Sequence, residues 1–246
     1  MRDIIYGRQP VRETLRAGRR QVYKLIVARG IQSTGVVGEI LSLARAAGTS
    51  VQEVERQALD KVGGEANHQG LAAEVSAYPY ADLADLLQAA HAAGEAPFLL
   101  LLDHLKDPQN LGSLLRSAEA AGVHGVVLPH RRAAGVTPAA VRASAGAAEH
   151  LRVAQVTNLV RAMEALKERD VWLAGLEALP EAQLYTQADL TGPLGLVVGS
   201  EGGGLARLVR ERCDFLIKLP MYGRVESLNA SVAGAVALYE ARRQRG

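Results

Sequence analysis

The chain runs to 246 residues, 48% hydrophobic and 22% charged, ordinary values for a folded globular protein with room for one large or two modest domains. Aromatic side chains make up only 4% and the formal net charge is +2, which excludes a broad stacking platform for single-stranded nucleic acid and leaves contact with a polyanion to local patches. The single cysteine, Cys213, excludes an intramolecular disulfide and a cysteine-rich metal site, no apolar run approaches the roughly twenty residues of a membrane span, and the charged start at Arg2 and Asp3 carries no apolar leader, so a cytoplasmic location is expected, with no membrane partner.

In chain order, Pro10 opens a short amphipathic helix that carries Arg8, Arg12 and Arg16 on one face, within a basic cluster that also includes Arg19, Arg20 and Lys24. Such a face can grip RNA phosphates or simply stand in solvent, and the spacing leaves both readings open. A strand from Val22 to Ala28, a helix near Val36 to Ala47 and a strand around Ser50 to Val54 follow. Asn67-His68-Gln69-Gly70 then leads into a strand-like Leu71 to Val75, closing a small α/β domain over residues 1–77. His68 there can contact RNA or serve as a structural hydrogen-bonding residue. Tyr78-Pro79-Tyr80, an alanine-rich helix from Ala81 to Ala93 and Gly94-Glu95-Ala96-Pro97 read as a linker over 78–96. The second domain, 97–246, alternates strands near 98–102, 124–128, 171–176, 194–198 and 215–219 with helical patterns, which predicts a mainly parallel sheet covered on both faces.

Three stretches of this domain carry chemistry. Asp107-Pro108-Gln109-Asn110 follows the first strand and opens a helix, setting Asn110, Gly112 and Arg116 near a strand's carboxyl end, where ligands bind in α/β sheets. Asn110 can cap that helix beside a solvated Arg116, or Arg116 can meet a phosphate or developing oxyanion while Asn110 holds its neighbours. Leu194 to Val198 runs into Gly199, Ser200, Glu201 and three glycines, a loop whose backbone can lie against a flat ligand. It contains neither the Gly-Lys-Ser/Thr of a P-loop nor a well-placed G-x-G-x-x-G, which argues against an NTPase or an ordinary dinucleotide fold. Glu201 in such a loop can accept amide hydrogen bonds or orient an arginine. The last strand ends at Pro220; after a polar loop, Ser227 stands in N-cap position before Leu228, Val232, Val236 and Tyr239, which have helical spacing, and Asn229 adds a second small polar group. Small polar groups from three distant segments at strand ends are the make-up of one ligand pocket.

These residues carry a resemblance. N-x-G-x-x-x-R at 110–116, G-S-E-G at 199–202, and P-M-Y-G followed by S-L-N-A-S within 220–231 resemble the three motifs of the SpoU (TrmH-like) family of RNA ribose 2′-O-methyltransferases in the SPOUT superfamily. The likeness covers the second domain, and I-I-Y-G-R-Q-P-V-R-E-T-L at 4–15 with N-H-Q-G at 67–70 resembles the family's substrate-binding module, which is like ribosomal protein L30e. The two-domain layout is most similar to the enzymes that methylate a guanosine 2′-hydroxyl in 23S rRNA. The resemblance implies an α/β protein whose C-terminal parallel sheet is tied in a trefoil knot, a threading that periodicity cannot reveal. It implies methyl transfer from S-adenosylmethionine to ribosomal RNA by a homodimer. Asn110, Arg116, Glu201, Ser227 and Asn229 would form the catalytic set; Gly199, Leu219, Met221, Ser227 and Leu228 would hold the cofactor; Arg8, Arg12, Arg16 and His68 would touch RNA. No cluster of cysteine or histidine calls for a metal. Family members are proposed to use the arginine matching Arg116 as general base, but a guanidinium with a pKa above about 12 hardly deprotonates. Stabilising the developing alkoxide and its neighbouring phosphate, with Glu201 and Asn110 orienting the guanidinium, fits its chemistry better. Transfer RNA as substrate, antibiotic-resistance methylation of ribosomal RNA, and a non-catalytic role in ribosome assembly remain as alternatives.

Overall fold

The structure, a computed structural model, describes residues 2–63 and 67–246. The elements in chain order are β1 (Arg2–Tyr6), α1 (Arg8–Ala17), β2 (Val22–Ala28), α2 (Gly35–Ala46), β3 (Ser50–Val54), α3 (Arg56–Gly63), β4 (Leu71–Ser76), α4 (Leu83–Ala93), β5 (Phe98–Leu102), α5 (Pro108–Ala120), β6 (Gly125–Pro129), α6 (Pro138–Ala143), β7 (Val153–Val156), α7 (Leu159–Lys167), β8 (Trp172–Leu176), β9 (Gln183–Leu184), β10 (Leu194–Val198), α8 (Arg207–Arg212), β11 (Phe215–Lys218) and α9 (Ala230–Arg245). They divide into two compact units, residues 1–79 with 136–150, and residues 80–135 with 151–246.

The first unit is built on a four-stranded sheet of order β1-β4-β2-β3, in which β4 runs antiparallel to both its neighbours and β2 pairs with β3 in parallel. Its core includes Ile5, Val11, Leu25, Ile40, Leu71 and Val75. The segment 136–150, expected in the C-terminal domain, belongs here. The buried guanidinium of Arg20 explains why: it donates to Ser76 O, pairs with Asp3, and meets the buried Glu149 carboxylate at 3.1 Å. Tyr78 Oη adds a bond to Ala148 O at 2.9 Å. An ion pair this deeply buried holds only while both partners stay in place, so it fixes the docking of the segment. Burial pushes the Glu149 carboxyl above its ordinary range even against the pull of Arg20.

The second unit carries a seven-stranded sheet of order β7-β6-β5-β10-β8-β11-β9, every pairing parallel. Strands β5, β6 and β10 are buried along their whole length, as a parallel sheet covered on both faces requires. Leu99, Leu101, Val127, Leu173 and Val197 face a cluster with Leu86 of α4, Leu159, Met163 and Leu166 of α7, and Val209 of α8. On the other face α5 packs against α9. A Cβ at Gly234 would stand 2.7 Å from Leu114 and 3.3 Å from Val198, so the bare Cα lets α9 sit close on α5 and β10. Residues 83–93, expected within a linker, form α4, whose Leu86 and Ala90 are buried in this unit. Strands β1, β7 and β9 have no counterpart in the sequence reading. Among the described residues no helix is long and apolar enough to cross a membrane, and no group of three or more His, Cys, Asp or Glu side chains is placed to hold a metal.

Candidate active site

The carboxyl ends of β8, β10 and β11 open onto a cavity of about 260 Å³, near the lower end of the usual range for small-molecule sites. Its wall comes from Leu176 at the end of β8 and Glu177 beyond it, Gly199 to Gly202 and Gly204 after β10, and Leu219, Met221 and Glu226 to Leu228 after β11. Gly199, Leu219, Met221, Ser227 and Leu228, expected to hold the cofactor, all line it. The glycine loop is closed on itself by Ser200 N–H to Gly204 O at 3.0 Å and Gly204 N–H to Ser200 O at 3.1 Å. A Cβ at Gly199 would lie 2.2 Å from the Gly204 carbonyl carbon and 2.6 Å from Leu205 N, so only glycine fits beneath this closure.

The rim is organised by side-chain amides. Asn110 Nδ2 donates to Glu201 Oε1 at 2.7 Å, and Asn229 Nδ2 donates to Asn110 Oδ1 at 2.9 Å. Asn229 Oδ1 in turn caps α9, accepting from Ser231 N at 2.9 Å and Val232 N at 3.4 Å, while Ser231 Oγ donates to the same oxygen at 2.7 Å. Three segments far apart in sequence are thus joined by one relay ending on a carboxylate. The cap is Asn229, two residues beyond the expected Ser227, which instead stands exposed on the cavity wall. Asp107, rather than Asn110, caps α5 by accepting from Gln109 N at 3.0 Å, leaving Asn110 free for the relay.

Arg116 is not brought into this arrangement. Six residues beyond Asn110, it lies about 240° round the helix and about 9 Å along it, and so on another face. Its exposed guanidinium has no hydrogen bond or ion pair among the described residues, and Asn110 and Glu201, expected to orient it, bond each other. Sequence reasoning missed Glu177, Ala178 and Leu176, which reach the cavity because β8 neighbours both β10 and β11; strand order, absent from the sequence pattern, was the missing signal. It also missed Ser231, a helix-start serine readable only as a possible cap. Glu177, Glu201 and Glu226 line the cavity with Lys218, whose ammonium is held by Leu179 O at 2.9 Å and Pro180 O at 2.8 Å. Glu177 is also 3.4 Å from Arg210, so the wall keeps a small excess of negative charge, carried by Glu201 and Glu226, that suits a ligand carrying positive charge.

In the first unit the expected RNA contacts fare differently. His68 is buried, with Nδ1 accepting from Gly70 N at 2.9 Å and Nε2 at 2.8 Å from Asp60; both ring nitrogens are engaged within the fold, so it offers no edge to RNA. Arg12 lies 2.7 Å from Glu13, and Arg16 pairs with both Glu13, at 3.2 Å, and Glu39, which makes this helix face one of mixed charge. Arg8 stays exposed, its Nε donating to Gln69 O at 3.4 Å. Cys213 is shielded, and burial pushes its thiol up to about 12, so it is not a nucleophile.

Two family models match the chain, one described as the SpoU rRNA Methylase family over residues 97–239 and one as RNA 2′-O ribose methyltransferase substrate binding over residues 4–81. The chain is 48% identical over 244 residues to YacO of Bacillus subtilis (strain 168), assigned to the TrmH family of tRNA/rRNA methyltransferases, covering 99% of this chain and 96% of that one. The crystal structure of the SpoU methyltransferase AviRb from Streptomyces viridochromogenes, in complex with AdoMet, superposes with a TM-score of 0.81 at 27% identity, over 99% of this chain and 90% of that one. A structure solved for the 2-OH methylation of C/U34 on tRNA shares 33% identity with a TM-score of 0.54, covering 61% of this chain and 96% of its own.

Proposed function

Because the chain belongs to the SpoU rRNA methylase family, and is by that membership an S-adenosylmethionine-dependent RNA ribose 2′-O-methyltransferase, we propose that its substrate is a guanosine 2′-hydroxyl in 23S rRNA. The observation that carries the site assignment is the convergence of Gly199, Leu219, Met221, Ser227 and Leu228 on one cavity. S-adenosylmethionine, when bound, supplies an electrophilic methyl group on a sulfonium. The lining suits it: glycine-loop backbone for the polar edges of a base, Leu176, Leu219 and Leu228 against its flat faces, and three carboxylates around a cation.

Ribosomal RNA is favoured over transfer RNA by the first unit, matched by the substrate-binding model, whereas the tRNA-directed structure covers only 61% of this chain. Arg8 is the exposed arginine we assign to RNA contact there. The Glu201–Asn110–Asn229 relay holds the glycine loop, α5 and α9 in register, so that a nucleotide entering over the cavity meets polar groups already held in place. We assign to Arg116, unpaired and permanently charged, the contact with the substrate phosphate and with the alkoxide that develops as the hydroxyl proton leaves to water, a role that requires the bound RNA to reach from the cavity to its face of α5.

We take the protein to be a cytoplasmic homodimer. The support is α9, whose Val232, Val236 and Tyr239 follow Leu228 at helical spacing yet stand exposed, a stripe suited to a second copy of the chain. Insertion of β10 between β5 and β8, and of β11 between β8 and β9, supports the trefoil threading. The test is transfer from labelled S-adenosylmethionine to unmodified ribosomal RNA and, separately, transfer RNA, followed by alkaline digestion. Label in an alkali-resistant dinucleotide from ribosomal RNA is expected. Label confined to transfer RNA would replace the substrate, and no transfer despite cofactor binding would favour the non-catalytic alternative.

A further inference from the structure

The loop after β5 (103–107) and the loop after β6 (130–135) leave the same edge of the second unit's sheet and are joined by Ala134 N–H donating to Leu105 O at 2.7 Å. Between them they expose Lys106, Arg131 and Arg132, and none of these three side chains has a hydrogen bond or ion pair among the described residues. The only exposed acid in the two loops, Asp107, is spent capping α5. The cluster therefore differs from the arginines of α1, which already share Glu13 and Glu39.

Two further observations point to a built feature. His104 and Arg132, one in each loop, hold left-handed backbone at φ 57° and 59°, a conformation that costs a non-glycine residue about 1 kcal/mol and persists where the surroundings impose it. The surroundings here are specific. Asp103, buried at the end of β5, holds His104 Nδ1 at 2.5 Å with one oxygen and accepts Ala206 N–H at 2.6 Å with the other. One carboxylate thus fixes the basic loop to the segment that closes the glycine loop of the cavity.

We propose that Lys106, Arg131 and Arg132 form a phosphate-binding face on the second unit, on which the sugar–phosphate backbone of the substrate RNA is held beside the cavity. The inference rests on the reading of the protein as an RNA methyltransferase and adds where that RNA is gripped. Three unpaired cations with no free acid among them are complementary to a phosphodiester chain, and their fixed loops spare the ordering cost that flexible side chains on a mobile segment would add.

The experiment measures binding of the full chain to unmodified 23S rRNA transcribed in vitro, across a salt series, for wild type and for Lys106→Gln, Arg131→Gln, Arg132→Gln and the triple variant. Each single substitution should flatten the slope of log affinity against log salt by about 0.7 to 0.9, and the triple by about two to three. Arg12→Gln and Arg16→Gln should change it less. S-adenosylmethionine binding and the melting temperature serve as folding controls and should stay at wild-type values. A triple variant with the wild-type slope overturns the proposal. Methyl transfer by wild type separates the two readings: transfer with unchanged slopes sinks the phosphate face alone, and flattened slopes without transfer to ribosomal RNA sink the substrate assignment alone.

Discussion

Replacing Gly199 by alanine puts the cavity to a sharp test. The new methyl group would stand 2.2 Å from the Gly204 carbonyl carbon and 2.3 Å from its oxygen, and since both are backbone atoms no side chain can swing away. Reaching an ordinary contact of about 3.4 Å moves the loop by about 1.2 Å, enough to break the paired Ser200–Gly204 hydrogen bonds at 3.0 and 3.1 Å. Two such bonds are worth about 2 kcal/mol and overpacking adds about 1–3 kcal/mol, so with that cost falling on the cofactor-binding conformation of the loop S-adenosylmethionine affinity should fall at least about a hundredfold, each 1.4 kcal/mol being about tenfold. Calorimetric titration with S-adenosylmethionine and its demethylated product, alongside thermal melts, reads both effects. Gly203→Ala is the control: its Cβ would meet only the rotatable Ser200 Oγ, at 3.0 Å, and should cost under about 1 kcal/mol. A Gly199→Ala protein that binds within twofold of wild type would refute the steric argument and the placement of the cofactor with it.

Other outcomes follow from the same geometry. His68→Ala removes one buried hydrogen bond, from Gly70 N–H, and one part-buried, with Asp60, and should lower stability by about 1–2 kcal/mol, or about 2–8 °C in Tm, with no change in the salt slope of RNA binding; a changed slope with an unchanged Tm would return His68 to the RNA surface. Glu149 has its carboxyl raised by burial, so the native state keeps a proton that the unfolded chain has lost, and stability should fall as pH rises from 4.5 through the raised native value. Glu149→Gln should flatten that limb in denaturant titrations, and a limb of undiminished slope would remove Glu149 as its source. Val236→Glu places a charge in the exposed stripe of α9 and should halve the mass found by light scattering, whereas an unchanged mass would move the subunit interface elsewhere.

Much of the fold was legible where burial is total. Phe98–Leu102 and Leu194–Val198 are unbroken apolar runs because both faces of a parallel strand are covered, and they stand where the pattern put them. β1 reads RDIIY, half-exposed beside β4, and β9 is two residues long, so neither carries a burial signature. The apolar spacing of Val232, Val236 and Tyr239 marked a helix correctly but said nothing of what covers it, and these side chains face outward. Capping preference could not choose between Ser227 and Asn229, since both residue types cap well; the choice is made by Asn110, a partner 119 residues away. The glycine loop at Gly199 left a local trace, but Leu219 and Leu228 were singled out by the family's motif positions alone, and the pairing of Asn110 with Glu201 and the separation of Arg116 depend on helix phase and strand order.

The return of residues 136–150 to the first unit means that the polypeptide passes between the units three times. Neither unit is a contiguous stretch of gene. Cutting at residue 79 would release a fragment whose Arg20 has lost Glu149, leaving a desolvated cation with Asp3 alone, and a remainder whose α6 has lost the surface that buries Ala140 and Val141. A recognition module joined in this way cannot be gained, lost or exchanged by simple fusion at one end. Swapping it between relatives to alter substrate choice would require moving two separated stretches of sequence together, with Arg20 and Glu149 as the pair that must travel as one.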